Sequence, residues 1–219
     1  LSNTASLRPM LDQLPWLCLF FVPAVTMRTL AEDLRGGQIE VVLAQPLTEL
    51  ELLLGKYAGA VLFLWTALAL TLAIPAGLAF GAELPWGTML GQYVGAGLLV
   101  AGLAGVGIWA STLTRSQITA FIVAAGAMFL LVLIGLDPLL VGLPPGLGAL
   151  AARIGILSHF ESLGRGVIDL RDAIYFLSLA GVFLALAYGT LLGRKLAAGS
   201  AGRHRLRLGV GLVAGSLVV

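Results

Sequence analysis

The sequence predicts an all-α, polytopic membrane protein with about five complete transmembrane helices and a short amphipathic element between the first two. Three observations predict it. Of the 219 residues, 59% are hydrophobic and 11% charged, where soluble domains carry about 45–50% and about 25%. So little charge cannot solvate a globular surface. The apolar runs continue over about 20 residues, the length a helix needs to cross the hydrocarbon. They do not alternate with the period of two that barrel strands require, which disfavours a β-barrel. Glycine is abundant at 29 residues, as suits helices that pack closely in lipid.

The first span is placed at Leu7–Leu30, with LPWLCLFFVPAVTM as its apolar heart. Pro15 and Pro23 are expected to kink it. The helix can continue past Arg28 to Arg35, where Gly36-Gly37 supplies a C-terminal stop. Leu1–Gln13 is polar and does not read as a cleavable signal. Because the chain starts at Leu, it reads as a fragment or a processed product. Cys18, the single cysteine, rules out an intrachain disulfide framework and a Cys-based metal cluster.

Thr26–Lys56 is the one long segment dense in charge, with Arg28, Glu32, Asp33, Arg35, Glu40, Glu49, Glu51 and Lys56. Each such side chain costs at least ~2.5–3.5 kcal/mol in hydrocarbon, so the segment must face water between two spans. Within it, QIEVVLAQ (Gln38–Gln45) puts Ile39, Val42 and Leu43 on one face if helical. IEVVL is equally acceptable as a strand, and Pro46 ends the run. Thr48 and Glu51 then fit a capping box, with Thr48 as N-cap and Glu51 at N3. Lys56 is expected to snorkel at the membrane boundary.

The second span is placed at Tyr57–Ala82, followed by a turn at Glu83–Trp86, with Trp86 suited to the interface. The third is Thr88–Leu113. A polar turn, Thr114–Gln117, contains Arg115, and the fourth span is Ile118–Leu136, closed by Asp137 and Pro138. Ala149–Leu157 reads as a short interfacial helix. SHFESLGRGVIDLRD then concentrates His159, Glu161, Arg165, Asp169, Arg171 and Asp172, read as a polar loop. The fifth span is Ala173–Leu192. Beyond Arg194 and Lys195, residues 196–219 comprise a small-residue linker, the basic residues Arg203, Arg205 and Arg207, and an apolar end of about 12 residues, too short to span.

Orientation follows from the basic residues. With Thr26–Lys56 in the cytoplasm, nine of the 13 Lys and Arg lie inside, against four outside: Arg8, Arg153, Arg165 and Arg171.

The middles of the spans carry no Asp, Glu, Lys, Arg or His. Ion-coupled transporters ordinarily need such groups, so a secondary transporter is disfavoured. There is no HExxH, no paired His and no intramembrane carboxylate pair. Thr66, Thr71, Gln92 and Tyr93 are the more polar members, and the plain expectation is that they bond to backbone or to another helix. GxxxxGK[ST] is absent too; LLGKY and LLGRK lack the leading glycine and the Ser/Thr. Energy for uphill movement would therefore arrive from a separate chain. The charged hairpin can receive it, with Ile39, Val42 and Leu43 in a groove of the partner and Arg35 and Glu40 selecting register. A merely solvated connector stays equally open on spacing alone.

TMRTLAEDLRGGQIEVVLAQPLTELELLLGKYAGA resembles the MR-x-x-AEE-x-R-x-GT-[IL]-E-x-LL-x-x-P pattern, ending in LGK, of ABC-2-type permeases. These are the membrane subunits of ATP-binding-cassette transporters. LPWLCLFFVPAVTMR, STLTRSQITAF and SHFESLGRGVIDLRDAIYFLSLAGVFL resemble its gliding-motility (GldF-like) branch, related to the nitrous-oxide-reductase maturation permease. Gln38, Asp33 and Ala44-Gln45 depart from the pattern. The resemblance implies a six-helix permease domain over residues 1–195, with the family's first helix missing here. It implies a coupling helix near Gly37–Pro46, touched by a cytoplasmic ATPase that carries the ATP, so that this chain binds no cofactor or metal and is not itself an enzyme. Glu32, Arg35, Gly37, Ile39, Glu40, Val42, Leu43 and Pro46 are then the ATPase-coupling residues, and Lys56 and Arg115 mark the cytoplasmic boundary. The implied partners are that ATPase, a second permease copy and the lipid bilayer, with no nucleic acid. The stretch past Gly202 resembles the start of a fused auxiliary subunit. The implied setting is the cytoplasmic membrane of a bacterium. The function expected is transport coupled to the partner's ATP hydrolysis. The rival is a non-transporting anchor that passes ATPase motion to an extracytoplasmic machine.

Overall fold

A glycine-rich helix, Trp86–Leu113, forms the axis of the computed structural model, and the other spans pack around it. The structure describes residues 12–36, 48–78, 86–136, 144, 146, 148, 153–164 and 169–198. All the secondary structure among them is helical. In chain order the helices are α1 (Leu14–Thr26), α2 (Ala31–Gly36), α3 (Glu49–Leu70), α4 (Ala73–Leu78), α5 (Trp86–Leu113), α6 (Gln117–Ile134), α7 (Ile156–Gly164) and α8 (Leu170–Ala198). Five stretches are long and apolar enough to cross a membrane: Leu14–Gly36, Glu49–Gly77, Trp86–Leu113, Gln117–Ile134 and Leu170–Arg194. The expected polytopic all-α class is therefore what the chain adopts.

The boundaries follow local chemistry. Leu14 and Pro15 open α1, so Pro15 sits in the first turn, where its missing N–H costs nothing, and does not kink the span as expected. Pro23 does lie inside the helix. Past it the helix gives way to a turn over 27–30 before α2 resumes, so the run to Arg35 is interrupted rather than continuous. The second span begins at Glu49, not Tyr57. Its cap is complete: the Thr48 N–H donates to Glu51 Oε2 at 2.8 Å, and the Glu51 N–H donates to Thr48 Oγ1 at 3.3 Å. The capping box anticipated from TELE thus starts the spanning helix itself. At the polar turn, Ser116 caps α6, accepting from the Thr119 N–H at 3.5 Å. The described part of the late block is not a loop: its start is helical, and its last residues open α8. His159 and Glu161 lie on α7, and Ile156, Phe160 and Leu163 recur at i, i+4 and i+7 as its buried face.

The core sits on α5. It is buried over 78% of its apolar length, against 17% for α3 and 22% for α6 and α8. Glycines make the approach possible. A Cβ on Gly105 would meet the Cα of Ala180 on α8 at 2.9 Å, and one on Gly95 would meet the Cβ of Leu163 on α7 at 2.7 Å. Beside Gly107 lies the side chain of Thr26 from α1, whose hydroxyl donates to the Val22 carbonyl at 2.8 Å. Without a hydrophobic drive between helices in lipid, such backbone approach supplies the van der Waals contact that holds them.

α3 attaches differently. Tyr57 Oη donates to the Ala101 carbonyl at 3.0 Å, Trp65 Nε1 donates to the Gly97 carbonyl at 3.0 Å, and the Thr71 and Tyr93 hydroxyls lie 3.1 Å apart. On α5 these partners fall one helical turn apart. Thr66 bonds its own turn through the Leu62 carbonyl at 2.7 Å. Thr66, Thr71 and Tyr93 thus do the backbone and interhelix bonding expected of polar residues in a span. Phe20, Phe21, Leu62, Phe63, Ile122, Leu130 and Leu177 stay exposed. Such an apolar exterior suits lipid and not water. Trp16 and Trp86 are exposed at the same end of the bundle, as interfacial anchors are.

Gly105→Val forces a side chain against the α8 backbone, and is expected to destabilise the detergent-solubilised protein by ~1–3 kcal/mol. Gly126 on α6 has nothing within 4 Å of a built Cβ, so Gly126→Ala is expected to be neutral or stabilising by up to about 1 kcal/mol. Thermal unfolding of both variants checks the contrast.

Candidate functional site

The two ends of the bundle carry its polar chemistry, and they are built differently. At one end lie the C-terminus of α5, the two helices that flank residues 37–47, and the last turns of α8. Lys56 on α3 pairs with Asp33 on α2, Nζ to Oδ2 2.6 Å, with side chains 34% and 17% exposed. Lys56 therefore does more than snorkel: it ties the two arms of the charged hairpin together at their base. Directly beneath, Leu30 and Leu53 are fully buried and pack with Ala60, Ile108, Ala187 and Leu191. One residue from each arm is thus wedged against both α5 and α8.

Hydroxyls and one guanidinium complete this end. Thr29 and Ser111 lie 3.3 Å apart, and Thr190 donates to Thr112 at 2.7 Å. Arg194 Nη2 donates to the Leu113 carbonyl at 2.9 Å, capping the end of α5 where carbonyls lack partners. Arg115 is exposed in the following turn, and Glu32 and Arg35 are exposed on α2. Gly37, Ile39, Glu40, Val42, Leu43 and Pro46 lie outside the described residues. What is described is the frame that holds them, closed by an ion pair between residues 23 positions apart in sequence.

At the opposite end, α7 lies against the starts of α5 and α8 and the end of α6. His159 Nδ1 lies 2.8 Å from Asp172 Oδ1, and its Nε2 lies 3.2 Å from the Arg153 carbonyl oxygen. Its ring stacks on Tyr175 with centroids 3.9 Å apart and planes 17° apart. The Tyr175 hydroxyl donates to the Ile154 carbonyl. Asp172 is buried. Asp169, ahead of α8, accepts from the Arg171 N–H at 3.0 Å and so caps the helix. Glu161 is exposed, and Arg165 falls outside the described residues. Of the six late residues singled out by sequence, the structure joins His159 and Asp172. Tyr175 was missed, because nothing local in the sequence marks an aromatic in a spanning helix as a stacking partner.

Residues 16–152, more than half of the chain, match the family model described as ABC-2 family transporter protein. The chain belongs to that family. A search of curated proteins returned no match. ABC-2 proteins are membrane permease subunits of ATP-binding-cassette transporters, typically without an enzymatic activity of their own. The matched region of this ABC-2 chain runs from α1 through α6. It therefore includes the charged hairpin and its Asp33–Lys56 closure, whereas α7 and α8 lie beyond it.

If the closure is a real energetic link, Asp33→Asn and Lys56→Gln should not be additive. A double-mutant cycle by thermal unfolding is expected to give a coupling of about 0.5–1 kcal/mol, weakening with added salt.

Proposed function

We propose that this chain is the membrane-spanning subunit through which a separate cytoplasmic ATPase drives transport. The observation that carries this reading is the frame at the base of the charged hairpin. A segment that receives a push must be joined stiffly to what it moves. Here its two flanking helices are tied to each other by Asp33–Lys56, and each arm, through Leu30 in the turn before α2 and Leu53 on α3, sets a fully buried leucine in the cluster with α5 and α8. A displacement of residues 37–47 would therefore reach four helices at once rather than bend a loose connector. In this reading Gly37–Pro46 is the coupling element. Ile39, Val42 and Leu43 seat in the ATPase, while Glu32, Arg35 and Glu40 select its register. ATP stays on the partner, and this chain holds no cofactor.

The hairpin end then faces the cytoplasm. Arg28, Arg35, Lys56, Arg115 and Arg194 gather at that end among the described residues, while Arg153 and Arg171 lie at the other. We place the protein in the cytoplasmic membrane of a bacterium, with residues 1–195 as the permease domain, working as a pair of permease copies. The gliding-motility branch fits best, on the late block around α7. Residues 196–219 would begin an auxiliary subunit.

The test is co-purification and ATP turnover with an ATP-binding-cassette ATPase co-expressed from the same genome. Ile39→Asp with Glu40→Lys is expected to release the ATPase or cut turnover at least ~10-fold, a loss of ~1.4 kcal/mol or more, with the membrane part still folded. Unchanged co-purification and turnover would overturn the reading. ATP turnover that depends on this chain but moves no solute in proteoliposomes would instead assign the anchor role.

A further inference from the structure

We propose that His159 is a proton-binding site, and that its proton latches α7 and the turn before it onto α8. Both ring nitrogens face acceptors. Nδ1 meets the Asp172 carboxylate at 2.8 Å and Nε2 meets the Arg153 carbonyl oxygen at 3.2 Å. A carbonyl can only accept, an ionised carboxylate can only accept, and a neutral imidazole has a single N–H. Both bonds form together only when the bridge holds one proton more than a neutral ring beside a carboxylate. Whether that proton rests on Nδ1 or on Oδ1, the count is the same. With it removed, one ring nitrogen turns a lone pair toward an acceptor's lone pair, and one of the two bonds is lost.

The surroundings act on both halves of the bridge. Asp172 is buried, and its Oδ2 has no hydrogen-bond partner. A buried carboxylate without a counter-charge is costly. It stands in the first turn of α8, where the helix dipole favours negative charge. Tyr175 lies flat against the ring, an arrangement that suits a cation. The same tyrosine holds the Ile154 carbonyl while His159 holds the neighbouring Arg153 carbonyl. Two consecutive carbonyls of the turn are thus pinned to α8 through one stacked pair of rings.

Among the described residues, no other titratable side chain on the packed helices competes. α6 carries none, and α5 carries only Tyr93, whose hydroxyl is engaged by Thr71. On α7 itself Glu161 is exposed, and Asp169 and Arg171 at the start of α8 are exposed as well. Ser158, beside His159, presents a second buried oxygen without a partner.

The sign follows from proton count. The latched form holds one proton more than the released form, so latching is present at acidic pH and is lost as pH rises. The inference is independent of the coupling role of the hairpin, which lies at the other end of the bundle.

Amide hydrogen exchange over Ile156–Gly164, in the full chain in lipid nanodiscs, tests it at about pH 5.5 and about pH 8.5, on either side of the ordinary imidazole titration near 6.5. After correction for the intrinsic pH dependence, protection is expected to fall at least ~10-fold at the higher pH. His159→Gln is expected to abolish that difference. Equal protection at both pH values, or a difference that survives in His159→Gln, would overturn the proposal. If the variant does not fold, the wild-type ring decides. With 15N-labelled histidine and His204→Ala, leaving one histidine, two N–H groups at the acidic pH and one at the alkaline pH support the latch. A single N–H at both overturns it, unless the 13C carboxyl shift of Asp172 shows that carboxyl protonated at the acidic pH and ionised at the alkaline pH, which places the same proton on Oδ1 and supports the latch.

Discussion

The bundle depends on how closely backbones can approach α5. A helix surrounded by the four other spans and by α7, and buried over most of its length, has little room for side chains at its crossing points. Gly95, Gly105 and Gly107 remove the Cβ where α7, α8 and α1 touch it. Those three contacts set where each neighbour lies along the axis. The register they impose brings Thr26 beside Ser111's turn, Ala187 beside Ile108 and Leu163 beside the start of α5. The polar pairs at both ends are downstream of that register. His159 could not reach Asp172, nor Arg194 the last carbonyl of α5, without it.

The sequence carried the parts of this structure that are local. The capping box was legible because Thr48 and Glu51 are three residues apart and their side chains bond within that one turn. The turn at Thr114–Gln117 was legible because Ser116 caps within its own first turn. Span positions were legible from apolar run length, although the second span starts at Glu49. The capping box already starts a helix there that runs into the span; only the span boundary falls late, at Tyr57, because the Glu-rich first turns are too polar to count as apolar run. What was not legible is what needs two distant segments. Lys56 looked like a boundary residue because its partner, Asp33, sits across the hairpin. His159 and Asp172 looked like members of one charged loop, because the helical periodicity of Ile156, Phe160 and Leu163 is short and interrupted by polar residues. The coupling residues Ile39, Glu40, Val42 and Leu43 rest on pattern alone, since they fall outside the described residues.

The two ends contrast in the strength of their fastenings. At the hairpin end, an ion pair, hydroxyl contacts and a small apolar cluster spread the connection over four helices. Redundancy of this kind transmits displacement and tolerates the loss of any one contact. At the other end, a single imidazole and a single phenol hold α7's leading turn to α8. Beside the apolar face of α7, that end concentrates its polar attachment in few groups, which makes it sensitive to the state of one of them.

The ladder between α3 and α5 has a consequence for how this protein can diverge. Tyr57 and Trp65 bond to backbone carbonyls of α5, not to its side chains. Every residue type offers that carbonyl. These hydrogen bonds therefore place no demand of their own on the side chains at Gly97 and Ala101, whatever close packing demands elsewhere on α5. For this contact the requirement falls on α3, whose lipid-bathed face otherwise looks interchangeable. A substitution survey of this protein should find its intolerant positions there on the aromatic partners, and broad tolerance among the aliphatic residues between them.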